Sequence, residues 1–399
     1  MIMWKWILAT AFVASCTIGT SLVGQIFIIG IVGFWASIAA VFLSWAYLLI
    51  TALYYLEATL SRPPGANIFS ITRFYFGSFW GWITAVLWIC VSIGGLAFVF
   101  PLAPSLIVGM LAQHGITVPV QLITFTFPLI IGLILYLGPH LTMSINLILL
   151  ASLSLGLLGS YRLGFEQITP QYFKLFQLGF LILVIPVLIT AMYYQMIIPT
   201  IATFLDNQFK KIRSSIVVGS FISAVIFALW GIAVSPIAGK IGPENLSKVH
   251  FKYLNYEELA KVPIVGPWMP FISLLTITTG ALVLGTIAVD VLADLFGYEL
   301  SSRKGVKRVL LLALVVVPSF ILSLIPPEYT YLPLVTLIDT AWLFMSGLLP
   351  IFWVWARRFR EQYTPYTAPG GNTTLIITTA IACFVFYLVG IEIIYQTSI

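Results

Sequence analysis

Charge is what this sequence has least of. Aspartate, glutamate, lysine and arginine make up 8% of its 399 residues, about a third of their usual share in a soluble domain. So few charges cannot cover a folded chain with polar surface, which excludes a water-soluble globular fold. Cysteine and histidine are scarce as well, three of each. Cys16, Cys90 and Cys383 all fall in apolar stretches, so no disulfide or metal framework is legible. A glycine-rich phosphate loop before a basic residue is missing, and so is a serine nucleophile elbow. Neither an ATP-driven pump nor a membrane enzyme with a buried acid–base or metal cluster is suggested. Nothing calls for a cofactor, and the energy for any work must come from a gradient.

What is present in quantity is hydrophobicity, at 60% of residues with a mean hydropathy of +1.07. Apolar runs of about 20 residues cross a bilayer as helices. Eleven such spans are expected, near 6–31, 34–57, 79–104, 121–138, 141–160, 178–204, 214–235, 270–293, 308–325, 331–355 and 374–395. The chain therefore reads as one all-α integral membrane domain over 1–399, with lipid as its partner. The net charge of +6 suggests nucleic acid at first sight, but thirteen of the nineteen basic residues fall on the N-terminal side of the spans. That is the positive-inside pattern, so charge reports a cytoplasmic N-terminus rather than an acidic ligand. With eleven spans the C-terminus lies outside. The start, Lys5 followed by an apolar run to Val13-Ala14-Ser15-Cys16, resembles a lipoprotein signal. Apolar sequence continues through Ile31, however, and the first-span reading is preferred. Residues 61–77 read as an interfacial segment, and 236–267 as a long outer connector or lid.

Two spans are interrupted in the same way. The first carries Cys16-Thr17-Ile18-Gly19-Thr20-Ser21, and the sixth carries Tyr193-Tyr194-Gln195 between Pro186 and Pro199. A broken helix strands N–H and C=O groups where no water can satisfy them, so it persists only where it lines a cavity. Paired breaks in two halves point to the substrate site of a secondary transporter. If the first five spans (about 6–160) and the next five (about 178–355) are inverted repeats, the breaks are equivalent, and the helix at 374–395 is an addition. Loose backbone at Gly19 offers N–H groups to a carboxylate and carbonyls to an ammonium group, the shared part of an amino acid. Tyr193 and Tyr194 suit a bulky side chain, with Gln195 as a polar contact. Each break also has a plainer reading, a small-residue packing face for the first and a proline kink for the second.

The acids within spans are Asp339, Asp290 and Asp294. A carboxylate in the membrane has its pKa raised by desolvation, and proton exchange there can drive symport; a gating role is equally open for Asp339. Asp290 and Asp294, one turn apart, share a helix face and suit a cation or inner-loop bases such as Arg303 or Lys210. Glu57 and Asp206, at inner span ends, read as interfacial.

Three stretches carry a resemblance. Thr17-Ile18-Gly19, the run Ile185-Pro186-Val187 through Pro199 to Asp206-Asn207 and Lys210-Lys211, and Asp290-Val291-Leu292-Ala293-Asp294-Leu295-Phe296 occur in the order seen in one family. Gly370-Gly371 before the last span fits as well. The chain resembles bacterial aromatic amino acid permeases of the tyrosine- and tryptophan-specific type, in the hydroxy/aromatic amino acid permease family of the amino acid–polyamine–organocation superfamily. It departs from the family where Ser21 replaces a glycine, where Ile26 beside Gln25 replaces a proline, and where Tyr193-Tyr194-Gln195-Met196 replaces Gly-Phe-His-Gly. The resemblance implies proton-coupled uptake of tyrosine or tryptophan across a bacterial inner membrane. Sodium coupling, a serine/threonine or other neutral amino acid symporter, and a transporter-derived sensor remain as alternatives. No obligate protein partner is evident.

Overall fold

The computed structural model describes every residue except Met1, 20–21, 23–31, 166–177, 242–267, 299–304, 326–336, 339, 361–362 and 398–399. Thr20, Ser21, Gln25, Ile26, Asp339 and most of the outer loop thus lie outside the described residues. Among the described residues all regular structure is helical, and nine helices are long and apolar enough to cross a membrane. In chain order they are α1 Ile2–Ile18, α2 Phe34–Leu60, α3 Ile68–Phe76, α4 Ser78–Val99, α5 Leu102–Gln113, α6 Val120–Leu137 and α7 Pro139–Phe165. Then follow α8 Leu178–Ala191, α9 Ile198–Phe204, α10 Phe209–Ile241, α11 Met269–Leu295, α12 Gly305–Ser323, α13 Leu349–Phe359 and α14 Gly371–Thr397. Span one holds α1, span six holds α8 and α9, and span ten ends in α13 after a π-helical turn at Phe344–Leu348.

Span three departs from expectation. Helix continues past 104 to Gln113, and the 36 residues from Ser78 to Gln113 would reach about 54 Å at the α-helical rise, well beyond one bilayer core. Pro101 interrupts the run, since it has no N–H to give, and α5 sets off as a separate helix.

Outward faces are as apolar as the interior. Phe79, Leu129 and Leu155 are each at least 68% exposed, as lipid-facing side chains must be. Phe74, Phe76, Phe79, Trp80 and Trp82 crowd the α3–α4 corner, the placement aromatic rings take at a membrane interface. Many hydroxyls inside the spans bond within their own helices, as Thr10 does to the Trp6 carbonyl and Thr286 to that of Leu282. α1 packs in the middle of the bundle against α7, α10 and α11. Its approach to α10 requires glycine: a Cβ on Gly219 would lie 2.6 Å from the Thr10 carbonyl oxygen.

A buried charge cluster lies at the end of the bundle that holds the N-terminus, here the N-terminal face. Glu57, expected at the interface, is instead wholly buried at the end of α2. Arg357 Nη2 lies 2.6 Å from its Oε1, Arg358 Nη2 lies 2.9 Å from its Oε2, and the Ala368 N–H donates to the same carboxylate at 2.6 Å. A buried carboxylate is tolerated only with such partners. Arg358 also donates to the carbonyls of Ala368 and Gly371, so α2, α13 and the start of α14 are fastened together. Tyr366 lies in the same linker, and burial pushes its phenol up to about 12, which keeps it neutral at physiological pH. Asp206 stays exposed and pairs with Lys5 at 3.0 Å, joining the start of α1 to the turn after α9.

Candidate functional site

Both expected breaks are present, and they meet. α1 stops at Ile18, where Gly19 takes a φ of +20°, a region side chains beyond glycine rarely adopt. In span six the Met192 N–H still bonds to the Leu188 carbonyl at 2.9 Å, after which Tyr193 and Tyr194 leave the helix. A single 3₁₀ turn, Gln195–Ile197, then leads into α9, with Pro199 near its start where a missing N–H does no harm. Cys16 Sγ lies 3.9 Å from the Tyr193 carbonyl oxygen, so residues 177 apart bring the two breaks into contact.

The residues expected at the site are used in different ways. Thr17 bonds back to the Val13 carbonyl at 3.1 Å, along its own helix. Gln195 is fully buried and turned toward α2: its Nε2 donates to the Leu48 carbonyl at 3.2 Å and to Thr51 Oγ1 at 2.9 Å. Its Oε1 accepts from the Tyr194 N–H at 2.9 Å. The side chain thus satisfies a backbone group that the break sets free. Tyr194 is buried as well, while Tyr193 is half-buried and stacks on Trp342 of span ten, ring centroids 3.5 Å apart. Trp88, in the middle of α4, meets Trp342 edge to face at 4.7 Å. Neither tryptophan stands out in the sequence; the available signal is that they fall within spans rather than at the interfaces tryptophan favours.

Beside α1, Ser15 Oγ donates to the Asn146 carbonyl at 3.4 Å, and Ser223 of α10 donates to the Ala14 carbonyl at 3.1 Å. These bonds hold the last turn of α1 between α7 and α10.

The two acids of α11 separate in role. Asp294 clamps α3, accepting from the Ser70 N–H at 2.9 Å and from its hydroxyl at 2.5 Å. A carboxylate on the first turn of a helix is well placed against the helix dipole. Asp290 accepts from Thr200 Oγ1 of α9 at 2.5 Å. It lines a cavity of about 510 Å³ beside α9, with Asn67, Tyr136, Thr203 and Arg308 also on its wall. Arg308 meanwhile caps the end of α6, its guanidinium donating to the Leu135 carbonyl at 2.5 and 3.1 Å. A carboxylate and a guanidinium thus border one cavity beside α9.

Known proteins place this geometry. The tyrosine-specific transport system 1 of Haemophilus influenzae is 24% identical over 96% of this chain and 95% of its own length. A tryptophan-specific transport protein of the same organism is 23% identical over 86% of this chain and 85% of its own. Among solved structures, a nucleobase-cation-symport-1 family transporter, MHP1, superposes with a TM-score of 0.61 at 14% identity, covering 96% of this chain and 89% of that one. A manganese transporter of Eremococcus coleocola gives 0.63 at 11% identity, covering 99% and 88%. The fold is therefore that of an inverted-repeat transporter core with the first and sixth spans broken, and a further helix follows it. The chain is a multi-pass membrane transporter and not an enzyme. The sequence model of the tryptophan/tyrosine permease family matches residues 3–389, and the chain belongs to that family.

Proposed function

We propose that this permease imports an aromatic amino acid, tyrosine or tryptophan, across a bacterial cytoplasmic membrane by proton symport, with its N-terminal face inside. The contact of the two breaks, Cys16 against the Tyr193 carbonyl, carries the reading, because it sets loose backbone from both halves beside three aromatic rings. The specificities named for the relatives support the substrate class. Gly19 with Cys16, Thr17, Thr20 and Ser21 holds the ammonium and carboxylate groups, and Tyr193 and Tyr194 border the side chain. Gln195 acts by bracing the break. The repeats run over about 6–160 and 178–355, with the added helix at 374–395. Asp290 is the proton carrier, since it lines the cavity beside α9 and the Thr200 hydroxyl ties it to that helix.

Purified protein in proteoliposomes should accumulate labelled tyrosine or tryptophan against its gradient when the exterior is made acidic. Asp290→Asn should reduce that accumulation at least tenfold and leave counterflow exchange within about twofold, as expected for a residue that couples rather than binds. Uptake of serine with no aromatic uptake would remove the substrate assignment. Uptake that follows sodium and ignores pH would remove the coupling assignment.

A further inference from the structure

On the permease reading above, the Trp88 indole N–H and the Tyr194 hydroxyl are among the buried polar groups near the breaks that lack a counterpart among the described residues. Trp88 is wholly buried, and its indole Nε1–H reaches no hydrogen-bond acceptor among the described residues. Its ring abuts Trp342, the platform on which Tyr193 of the broken span six is stacked. Buried donors are nearly always paired, so an unpaired one beside a binding region asks for a ligand atom. An indole N–H only donates, and it therefore selects a ligand that offers an acceptor. The phenol oxygen of tyrosine accepts. The indole of tryptophan only donates, and phenylalanine offers neither.

We propose that Trp88 is the specificity-determining residue of the side-chain subsite, donating from Nε1 to the phenolic oxygen of the substrate, and that the preferred cargo is tyrosine. The substrate ring takes the face of Trp342 that Tyr193 covers. Tyr193 stands on the non-helical turn between α8 and the 3₁₀ segment. A hydrogen bond to the phenol then discriminates by leaving the Trp88 N–H unmet whenever a ligand without an acceptor enters.

The test is a binding series on the full-length protein in lipid nanodiscs with tyrosine, phenylalanine and tryptophan. Tyrosine should bind about ten- to hundredfold tighter than either competitor. In Trp88→Phe, which keeps a ring but removes the N–H, tyrosine should fall to the level of phenylalanine while phenylalanine changes little. A second pair of ligands works on the unaltered protein should that variant not fold. 4-Methoxyphenylalanine accepts a hydrogen bond and 4-ethylphenylalanine, of similar size, does not, so the first should bind more tightly. Equal binding of that pair, tyrosine no tighter than phenylalanine, or an undiminished tyrosine preference in Trp88→Phe would each overturn the inference and leave the aromatic permease reading standing. Binding of no aromatic amino acid by the unaltered protein would overturn both.

Discussion

Glu57→Ala is expected to destabilise the protein by about 3–5 kcal/mol, the usual effect of removing one partner from a buried ion pair. The carboxylate is fully buried and meets two guanidinium groups and one backbone N–H. Without it, Arg357 and Arg358, whose side chains are 9% and 10% exposed, keep their charges where water can scarcely reach them. The measurement is the midpoint of thermal unfolding in detergent together with the yield of monodisperse protein. Glu57→Gln should lie between Ala and the unaltered chain, because the amide keeps an acceptor but loses the charge. Arg358→Lys should also be poorly tolerated. An ammonium group cannot reproduce the fork that serves Glu57 through Nε and Nη2 while Nη1 reaches the Gly371 carbonyl. If Glu57→Ala unfolds like the unaltered protein, the cluster does not hold the N-terminal face together.

Gly219→Ala is expected to reduce transport about hundredfold, the scale of effect that follows from displacing a site by roughly 1 Å. The new Cβ would lie 2.6 Å from the Thr10 carbonyl oxygen and 2.7 Å from Val13 Cβ, and the first of these is backbone that cannot rotate away. α1 and α10 must then separate. The Ser223 hydroxyl, one turn further along α10, holds the Ala14 carbonyl at 3.1 Å, so the shift passes directly to the turn that ends at Gly19. Overpacking of this kind also lowers stability, by about 1–3 kcal/mol. Counterflow exchange normalised to folded protein separates the two effects. Gly280→Ala is the matching control: its added Cβ meets nothing within 4 Å, and transport should be unchanged. Equal behaviour of the two variants would show that the α1–α10 contact does not position the break.

Much of the architecture is legible along the chain because the bilayer imposes a simple rule. Spans must be long, apolar and helical, so their number and rough limits follow from hydropathy. The breaks are legible for the converse reason: Gly19 among hydroxyl residues, and Tyr193-Tyr194-Gln195 before Pro199, are polar or loose where neither is tolerated without purpose. Span three shows where the rule weakens. An apolar helix such as α5 is not told from the end of a span by composition, and Pro101 is the feature that separates them.

Which face of each span points inward is not legible, and this is a property of the solvent. In water a helix betrays its buried face by contrast with a polar one. Here Leu129 and Leu155 face outward and Leu8 and Leu188 face inward, with no difference in residue type to mark it. Polar residues mark an inner face only when their partners are known, and those partners are far away in sequence. Glu57 finds Arg357 and Arg358 some 300 residues on, Asp294 finds Ser70 at a separation of 224, and Gln195 finds Thr51 at 144.

The sequence by itself thus determines a lipid-embedded helical transporter, the positions at which two of its helices break, and the family resemblance carried by short motifs. Those properties are local, each decided by the cost of polar groups in hydrocarbon within a single span. Only the tertiary structure decides that the breaks touch, that Gln195 braces span six from α2, that Trp88 and Trp342 join Tyr193, and that Glu57 locks the N-terminal face. Each of these depends on helix packing, which pairs distant stretches of chain by shape and hydrogen bonding rather than by hydropathy.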